Sequence, residues 1–370
     1  MKLFLIVSAD WAFLSHRISL ALSAIDAGFD VTVVTRITKF EKVIKEKGIK
    51  VIDINFRRSS KTPFIDLCNL IKLIILFRKE KPDIIHNVAL KTILLGSIAG
   101  LFSRKSTIIN AFTGLGYVFS SSQVKARVIR LFIRPLFQLI IKSKNYWAIF
   151  QNPDDMSLFY QLGITTSERS VLIRGSGVDT KEFPMTVDKN KIPVVMLASR
   201  ILWDKGISEF AEVAKRANKN NVNAKFILVG NIDSDNPMSI QVSTINKWIK
   251  ESNIIWKGHC RNMPKTLSSA SIVCLPSYRE GLPKVLLEAA STGRPLVATD
   301  VPGCREIVSD GYNGFLVDLK DIDSLYNAII SLINNSGDRK RMGSNSRKLV
   351  EKEFSSEIVN SKTIELYRNI

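Results

Sequence analysis

The chain has 370 residues, 45% of them hydrophobic and 24% charged, which is enough apolar material for two ordinary cores and excludes a disordered or low-complexity protein. Against 34 Asp and Glu stand 53 Lys and Arg, a formal charge of +19. An anionic partner is therefore expected: nucleic acid, an acidic membrane surface or a phosphorylated ligand.

Residues 2–7 read as the first buried strand of a parallel sheet; a signal peptide would carry a longer apolar core before Asp10, His16 and Arg17. A helix over 15–27 stops at Gly28. Strands follow at 30–35, 50–54, 83–86, 107–111 and 146–151, with helices at about 63–80, 92–102 and 124–142 between them. Apolar strands without alternation, separated by helices, predict a parallel sheet covered on both faces. Residues 106–124 are uncharged but interrupted by Ser, Thr, Asn, Gly and Gln, so no transmembrane helix is expected. The pattern restarts after the Gly-rich stretch 174–179. Strands at 193–198, 224–229, 254–257, 271–276 and 295–299 accompany helices at 207–219, 238–251 and 283–292; helices at 322–334, 338–353 and 355–369 end the chain. Two doubly wound halves follow, with ligand expected outside the carboxyl ends of the strands.

Cys68, Cys260, Cys274 and Cys304 are spaced 192, 14 and 30 residues apart and match no zinc or redox motif, so reduced thiols and no metal are expected. Residues 280–288 read Glu-Gly-Leu-Pro-Lys-Val-Leu-Leu-Glu. Pro283 suits the first position of a helix, which places the amides of Gly281 and Leu282 at a positive helix end. Glu288 lies among Leu286, Leu287, Ala289 and Ala290. A carboxylate so surrounded needs partners, and sugar hydroxyls fit because it accepts from two at once. Arg200 and Lys205 follow the first strand of the second half; a guanidinium fork and a mobile ammonium suit a diphosphate. Asp233-Ser234-Asp235 has the form of an acidic metal-binding pair, but it sits in a polar loop after Gly230 and is read as solvated. No dinucleotide-binding glycine fingerprint follows the first strand, and no Walker loop is present.

These motifs, together with Gly175-Ser176-Gly177-Val178-Asp179, Leu228-Val229-Gly230, Leu275-Pro276-Ser277, Asp300-Val301-Pro302-Gly303 and Asn313-Gly314-Phe315-Leu316-Val317, resemble the family-4 retaining glycosyltransferases of the GT-B class. The similarity is densest over 172–317. It implies an α/β fold of two Rossmann-like domains facing each other across a cleft: 1–184 binding acceptor and facing the membrane, 185–354 binding nucleotide sugar, and 355–370 a helix packing back on the N-terminal domain. By position it implies that Glu288 holds the nucleotide ribose, that Arg200 and Lys205 hold the diphosphate as leaving group, and that Glu280 contacts the donor sugar with the Gly281 and Leu282 amides. Gly230 and residues 259–261, including Arg261, would lie near the base. The first half departs from the commonest pattern: 8–17 replaces a Gly-Gly loop, and Asn110-Ala111-Phe112-Thr113-Gly114-Leu115-Gly116-Tyr117 replaces a His-bearing segment. Both segments look like a subgroup that extends lipid-linked oligosaccharides in O-antigen or capsule assembly. There His16 or Thr113 would stand near the reacting sugar, and His86, ending a strand, is either a cleft residue or structural.

Residues 1–185 carry 27 Lys and Arg against 14 Asp and Glu, and no acidic residue occurs between Asp83 and Asp154. Within 124–144, Arg127, Arg130, Arg134 and Lys142 recur at helical steps beside Val, Ile, Leu and Phe, the pattern of a membrane-surface helix or of a domain helix with a cationic face. The expected activity is transfer of a sugar, an N-acetylhexosamine or related hexose, from a UDP-sugar to a polyprenyl-diphosphate-linked saccharide. The expected location is the cytoplasmic face of the cell membrane, on an anionic surface, with no cofactor and no nucleic acid. The alternatives are a nucleotide-sugar epimerase on the same scaffold and a nucleic-acid-binding protein.

Overall fold

The computed structural model describes residues 1–56, 63–103, 105–114, 134–138, 140, 145–233, 236 and 238–370. The chain divides into two compact units, Met1–Ser176 with Ser356–Ile370, and Gly177–Ser355.

In the first unit, the described residues form a seven-stranded sheet of β1 (Lys2–Ile6), β2 (Asp30–Thr35), β3 (Lys50–Asp53), β4 (Ile84–Val88), β5 (Thr107–Phe112), β6 (Tyr146–Phe150) and β7 (Ser170–Leu172), in the order β3-β2-β1-β4-β5-β6-β7. Every ladder is parallel. Both faces of β1 are buried. Leu3 and Leu5 pack with Leu20, Ala21 and Ala24 of the helix Ile18–Asp26, whereas Phe4 and Ile6 pack with Leu73 and Phe77 of the helix Pro63–Glu80. That two-sided burial is why the strand lacks an alternating pattern.

The helix expected over 15–27 is two helices, Asp10–His16 and Ile18–Asp26, joined at Arg17 with φ −132° and ψ −6°. The first starts early because Asp10 is a buried anchor. Its carboxylate accepts from the Thr38 hydroxyl at 2.6 Å and from the amides of Thr38, Lys39 and Phe40 at 2.7–2.9 Å. Burial pushes the Asp10 carboxyl up, but these hydrogen bonds win and hold it at about 2.

The helix Ser356–Arg368 packs on Ile18–Asp26, where Asn360 Nδ2 donates to Ser19 Oγ at 2.8 Å and Ser23 Oγ at 3.1 Å. Near its end the Tyr367 hydroxyl meets Nδ1 of the buried His86. His86 is thus a packed residue under the terminal helix. Burial, and secondarily the Arg17 charge, depress its pKa to about 3. The expected basic helix at 124–144, with Arg127, Arg130 and Lys142, lies outside the described residues except at 134–138 and 140. There Arg134 is exposed, while Phe137 and Ile140 are buried with Phe112, Phe150 and Phe159.

In the second unit β8 (Val194–Ala198), β9 (Lys225–Val229), β10 (Ile255–Trp256), β11 (Ile272–Leu275), β12 (Leu296–Thr299) and β13 (Gly314–Val317) form a six-stranded parallel sheet in the order β10-β9-β8-β11-β12-β13. Helices Ile207–Lys219 and Ile322–Asn334 cover one face, and Lys284–Ser291 covers the other. Strand β13 runs so close to β12 that a Cβ on Gly314 would lie 2.0 Å from the Leu296 carbonyl oxygen.

Candidate active site

Three glycines draw the loops at the carboxyl ends of the second sheet's strands together. Gly206 has φ +68°, and a Cβ there would lie 2.0 Å from the Pro276 carbonyl oxygen. Gly230, with φ +144°, would meet the Ser199 carbonyl oxygen at 1.7 Å, and Gly303, with φ +84°, the Gly281 carbonyl oxygen at 2.4 Å. Only glycine allows both the dihedral and the approach. The loops after β8, β9, β11 and β12 therefore touch backbone to backbone.

The charged side chains of those loops pair. Lys205 Nζ lies 2.6 Å from Glu280 Oε1, joining the loops after β8 and β11 in a largely buried ion pair. Arg200 donates to Asp233 Oδ2 at 2.9 Å across the more exposed loops after β8 and β9. Asp233 thus partners a site cation, although the sequence reads it as solvated; Ser234 and Asp235 lie outside the described residues. The helix bearing Glu288 begins at Lys284, one residue later than expected, with Pro283 as its N-cap and half-buried Gly281 and Leu282 in the loop before it. Glu288 is 7% exposed and takes Lys284 Nζ at 2.9 Å, an i, i+4 pair. Burial raises its pKa, the Lys284 charge and hydrogen bond pull it back, and the Glu182 charge adds to the rise. A carboxylate held against its own desolvation is a candidate functional position.

Gly230 donates its amide to the Gly258 carbonyl at 2.8 Å and accepts from Trp256 Nε1 at 3.0 Å, so the loop after β9 leans on the one after β10. Arg261 is exposed, two residues ahead of the helix Met263–Ser268. In the first unit His16 is exposed at the end of its helix, and half-buried Thr113 directly follows β5.

Sequence reasoning missed Tyr278. Its amide donates to the Asp204 carbonyl at 2.8 Å, its hydroxyl donates to Glu209 Oε1 at 2.6 Å, and the Lys320 ammonium sits 4.8 Å from its ring centre. Burial, with Glu209 beside it, pushes the phenol up to about 12. Tyr278 therefore fixes the Glu280 loop to the helix that follows Lys205. The buried Cys304 thiol is pushed up by desolvation and then by the Glu280 charge, so it stays protonated and unreactive. Among the described residues no three His, Cys, Asp or Glu side chains gather as a metal site.

Known families account for both units. Residues 179–349 match the family described as glycosyl transferases group 1, and residues 2–151 match the family described as glycosyl transferase 4-like; the chain belongs to these glycosyltransferases. It is 26% identical to the N,N'-diacetylbacillosaminyl-diphospho-undecaprenol alpha-1,3-N-acetylgalactosaminyltransferase of Campylobacter jejuni, over 97% of this chain and 98% of that protein. It is 28% identical to the UDP-Gal:alpha-D-GlcNAc-diphosphoundecaprenol alpha-1,3-galactosyltransferase of Escherichia coli, over 73% of this chain and 71% of that protein. Its fold matches that of Anabaena HepE, solved in complex with UDP and glucose, with a TM-score of 0.80, 19% identity and all of both chains covered. The architecture is thus GT-B, and the enzyme class is glycosyltransferase.

Proposed function

We propose that the enzyme transfers a hexose or N-acetylhexosamine, with retention, from a UDP-sugar to a polyprenyl-diphosphate-linked saccharide in bacterial surface-polysaccharide assembly. The observation that carries this reading is the set of paired charges in the loops and the helix that follow strands of the second sheet: largely buried for Glu288 with Lys284 and Glu280 with Lys205, more exposed for Arg200 with Asp233. Glu288 accepts from the ribose hydroxyls. Arg200 and Lys205 exchange their carboxylate partners for the diphosphate and stabilise the charge that develops as it leaves. Released from Lys205, Glu280 accepts from donor-sugar hydroxyls beside Gly281 and Leu282. Gly230 and Arg261 border the base. Residues 185–354 serve as the donor domain, residues 1–184 bind acceptor with His16 or Thr113 near the reacting sugar, and residues 355–370 brace the N-terminal domain. Both named relatives that act on diphospho-undecaprenol substrates support the acceptor class. The charge of residues 1–185 supports work at the anionic cytoplasmic face of the membrane. Among the described residues no helix is long and apolar enough to cross a membrane. None of the named relatives is an epimerase or binds nucleic acid by its name.

The test is a screen of UDP-sugars against synthetic polyprenyl-diphosphate saccharides, read by mass spectrometry. A product heavier by one sugar is expected. UDP binding without transfer to any such acceptor would overturn the acceptor assignment.

A further inference from the structure

The helix Pro63–Glu80 has a second apolar face, on the side away from the core. Leu73 and Phe77 are fully buried against Phe4, Ile6, Val34 and Ile85. On the opposite side Phe64, Leu67, Ile71 and Ile75 are between 50% and 73% exposed. Their three- and four-residue steps set them in one stripe. Leu101 and Phe102, also exposed, lie at the end of the neighbouring helix Leu90–Leu101, where the Arg78 guanidinium is 5.8 Å from the Phe102 ring centre. Single exposed apolar residues are ordinary, but a continuous patch marks an interaction surface.

The surrounding charge names the partner. Lys72, Arg78 and Lys79 are exposed on the same helix, and Lys105 is exposed beyond Phe102. The two acids of the helix each have a cation: Asp66 pairs with Lys91 at 2.8 Å and Glu80 with Lys2 at 3.8 Å. An aromatic and aliphatic stripe bordered by cations suits a helix lying in the headgroup region of an anionic bilayer. A helix that is apolar on both faces needs apolar surroundings on both. We propose that the stripe of Phe64, Leu67, Ile71 and Ile75, with Leu101 and Phe102, docks this unit on an anionic lipid bilayer. The proposal rests on the membrane-surface reading above and locates it on this helix.

The full chain is sedimented with vesicles of phosphatidylcholine alone and of phosphatidylcholine with phosphatidylglycerol. It is compared with the double variants Ile71→Glu/Ile75→Glu and Lys72→Gln/Lys79→Gln, all at exposed positions. UDP calorimetry and the thermal midpoint report whether each fold is intact. The parent is expected to sediment with the anionic vesicles, more strongly at low salt. The Ile71→Glu/Ile75→Glu protein should bind them about tenfold or more weakly, and the Lys72→Gln/Lys79→Gln protein should lose the preference for phosphatidylglycerol. UDP affinity should not change. A parent that binds anionic vesicles no better than the Ile71→Glu/Ile75→Glu protein overturns the stripe and leaves membrane association to another face. A parent that never binds them, yet extends a lipid-diphosphate acceptor in detergent, overturns both docking and location while the transfer reaction stands. Ultracentrifugation showing a dimer that Ile71→Glu/Ile75→Glu dissolves, without vesicle binding, assigns the stripe to a second copy and also overturns the proposal. Stripe-dependent vesicle binding without any lipid-diphosphate product sustains the docking face and removes the acceptor reading.

Discussion

Glu288 carries a desolvation penalty that the Lys284 ion pair offsets only in part. Its folded pKa lies above the unfolded value, so the native state holds its proton more tightly. The sign follows: ionising this group costs stability, and that cost grows as pH rises through the unfolded carboxylate range. Glu288→Gln should therefore leave the thermal midpoint of the free protein unchanged or higher. It should weaken UDP binding about tenfold to a hundredfold, the worth of a charge-assisted hydrogen bond. Calorimetry with UDP checks this, and an unchanged affinity removes Glu288 from the site. Lys205 and Glu280 respond differently, because each shields the other at 2.6 Å. Removing either alone leaves a largely buried charge without its partner. The stability losses of Lys205→Ala and Glu280→Ala should together exceed the loss in the double variant, which a double-mutant cycle in urea measures. On the roles proposed above, in which Lys205 would stabilise the leaving diphosphate and Glu280 would hold the sugar, turnover should be lost in all three.

At the scale of elements, the site depends on loops held in contact by glycine. Gly303 belongs to the loop after β12, yet the atoms its Cβ would meet are the carbonyl oxygens of Gly281 and Glu280 after β11, at 2.4 and 2.8 Å. Gly303→Ala must move one loop or the other, and backbone strain of this kind costs roughly 1–3 kcal/mol. Activity should fall far more than that loss of stability accounts for, because Glu280 moves with its loop. Comparing the thermal midpoint with kcat for this variant decides it; equal, small losses in both would show that the loop position is not critical. The basic helix expected at 124–144 carries a lesson at this scale. Where it is described, Phe137 and Ile140 are core residues, so part of its apolar side faces inward. The stripe at Phe64, Leu67, Ile71 and Ile75 escapes periodicity analysis for the converse reason. A helix apolar on both faces has little amphipathic signal until packing shows which face is covered.

At the scale of the whole molecule, the terminal helix is fastened to the first sheet through the neutral His86. Its folded pKa of about 3 lies below the ordinary 6.5, so the unfolded chain takes up the proton first. Stability is full above about pH 6.5 and falls as pH drops toward 3, by at most about 1.4 kcal/mol per pH unit. His86→Gln should flatten that slope in urea titrations; an unchanged slope would show that another group governs it. Readings kept above about pH 5 exclude Asp10, whose contribution is lost only as pH falls toward about 2. Catalysis is expected to survive chelation, because Arg200, Lys205 and the start of the helix Lys284–Ser291 supply the positive charge that a diphosphate requires. Turnover in excess EDTA is the check, and loss restored by manganese would return Asp233 and its loop to consideration as a metal site.

The sequence by itself determined most of the elements and the chemistry of their ends, while the short strands β7 and β13, the helix Pro153–Gln161 and the break at Arg17 came only with the structure. Strands buried on both faces announce themselves as apolar runs, and helices and turns are written in residues only a few positions apart. The i, i+4 spacing of Lys284 and Glu288 is just as local, yet sequence reasoning looks to sugar hydroxyls for the partners of Glu288 and misses the lysine. Motif resemblance placed Glu280, Glu288, Arg200 and Lys205 in one enzyme family. Only the tertiary structure decided the partnerships. Lys205 and Glu280 are 75 residues apart, and they meet because β8 and β11 are neighbours in a sheet whose order no local pattern encodes. Tyr278 reaches Glu209 across 69 residues for the same reason. The early start of the first helix follows from Asp10 holding a loop 28 to 30 residues further on. Periodicity is local, whereas these contacts depend on which strand lies beside which, and that is settled by the packing of the whole sheet.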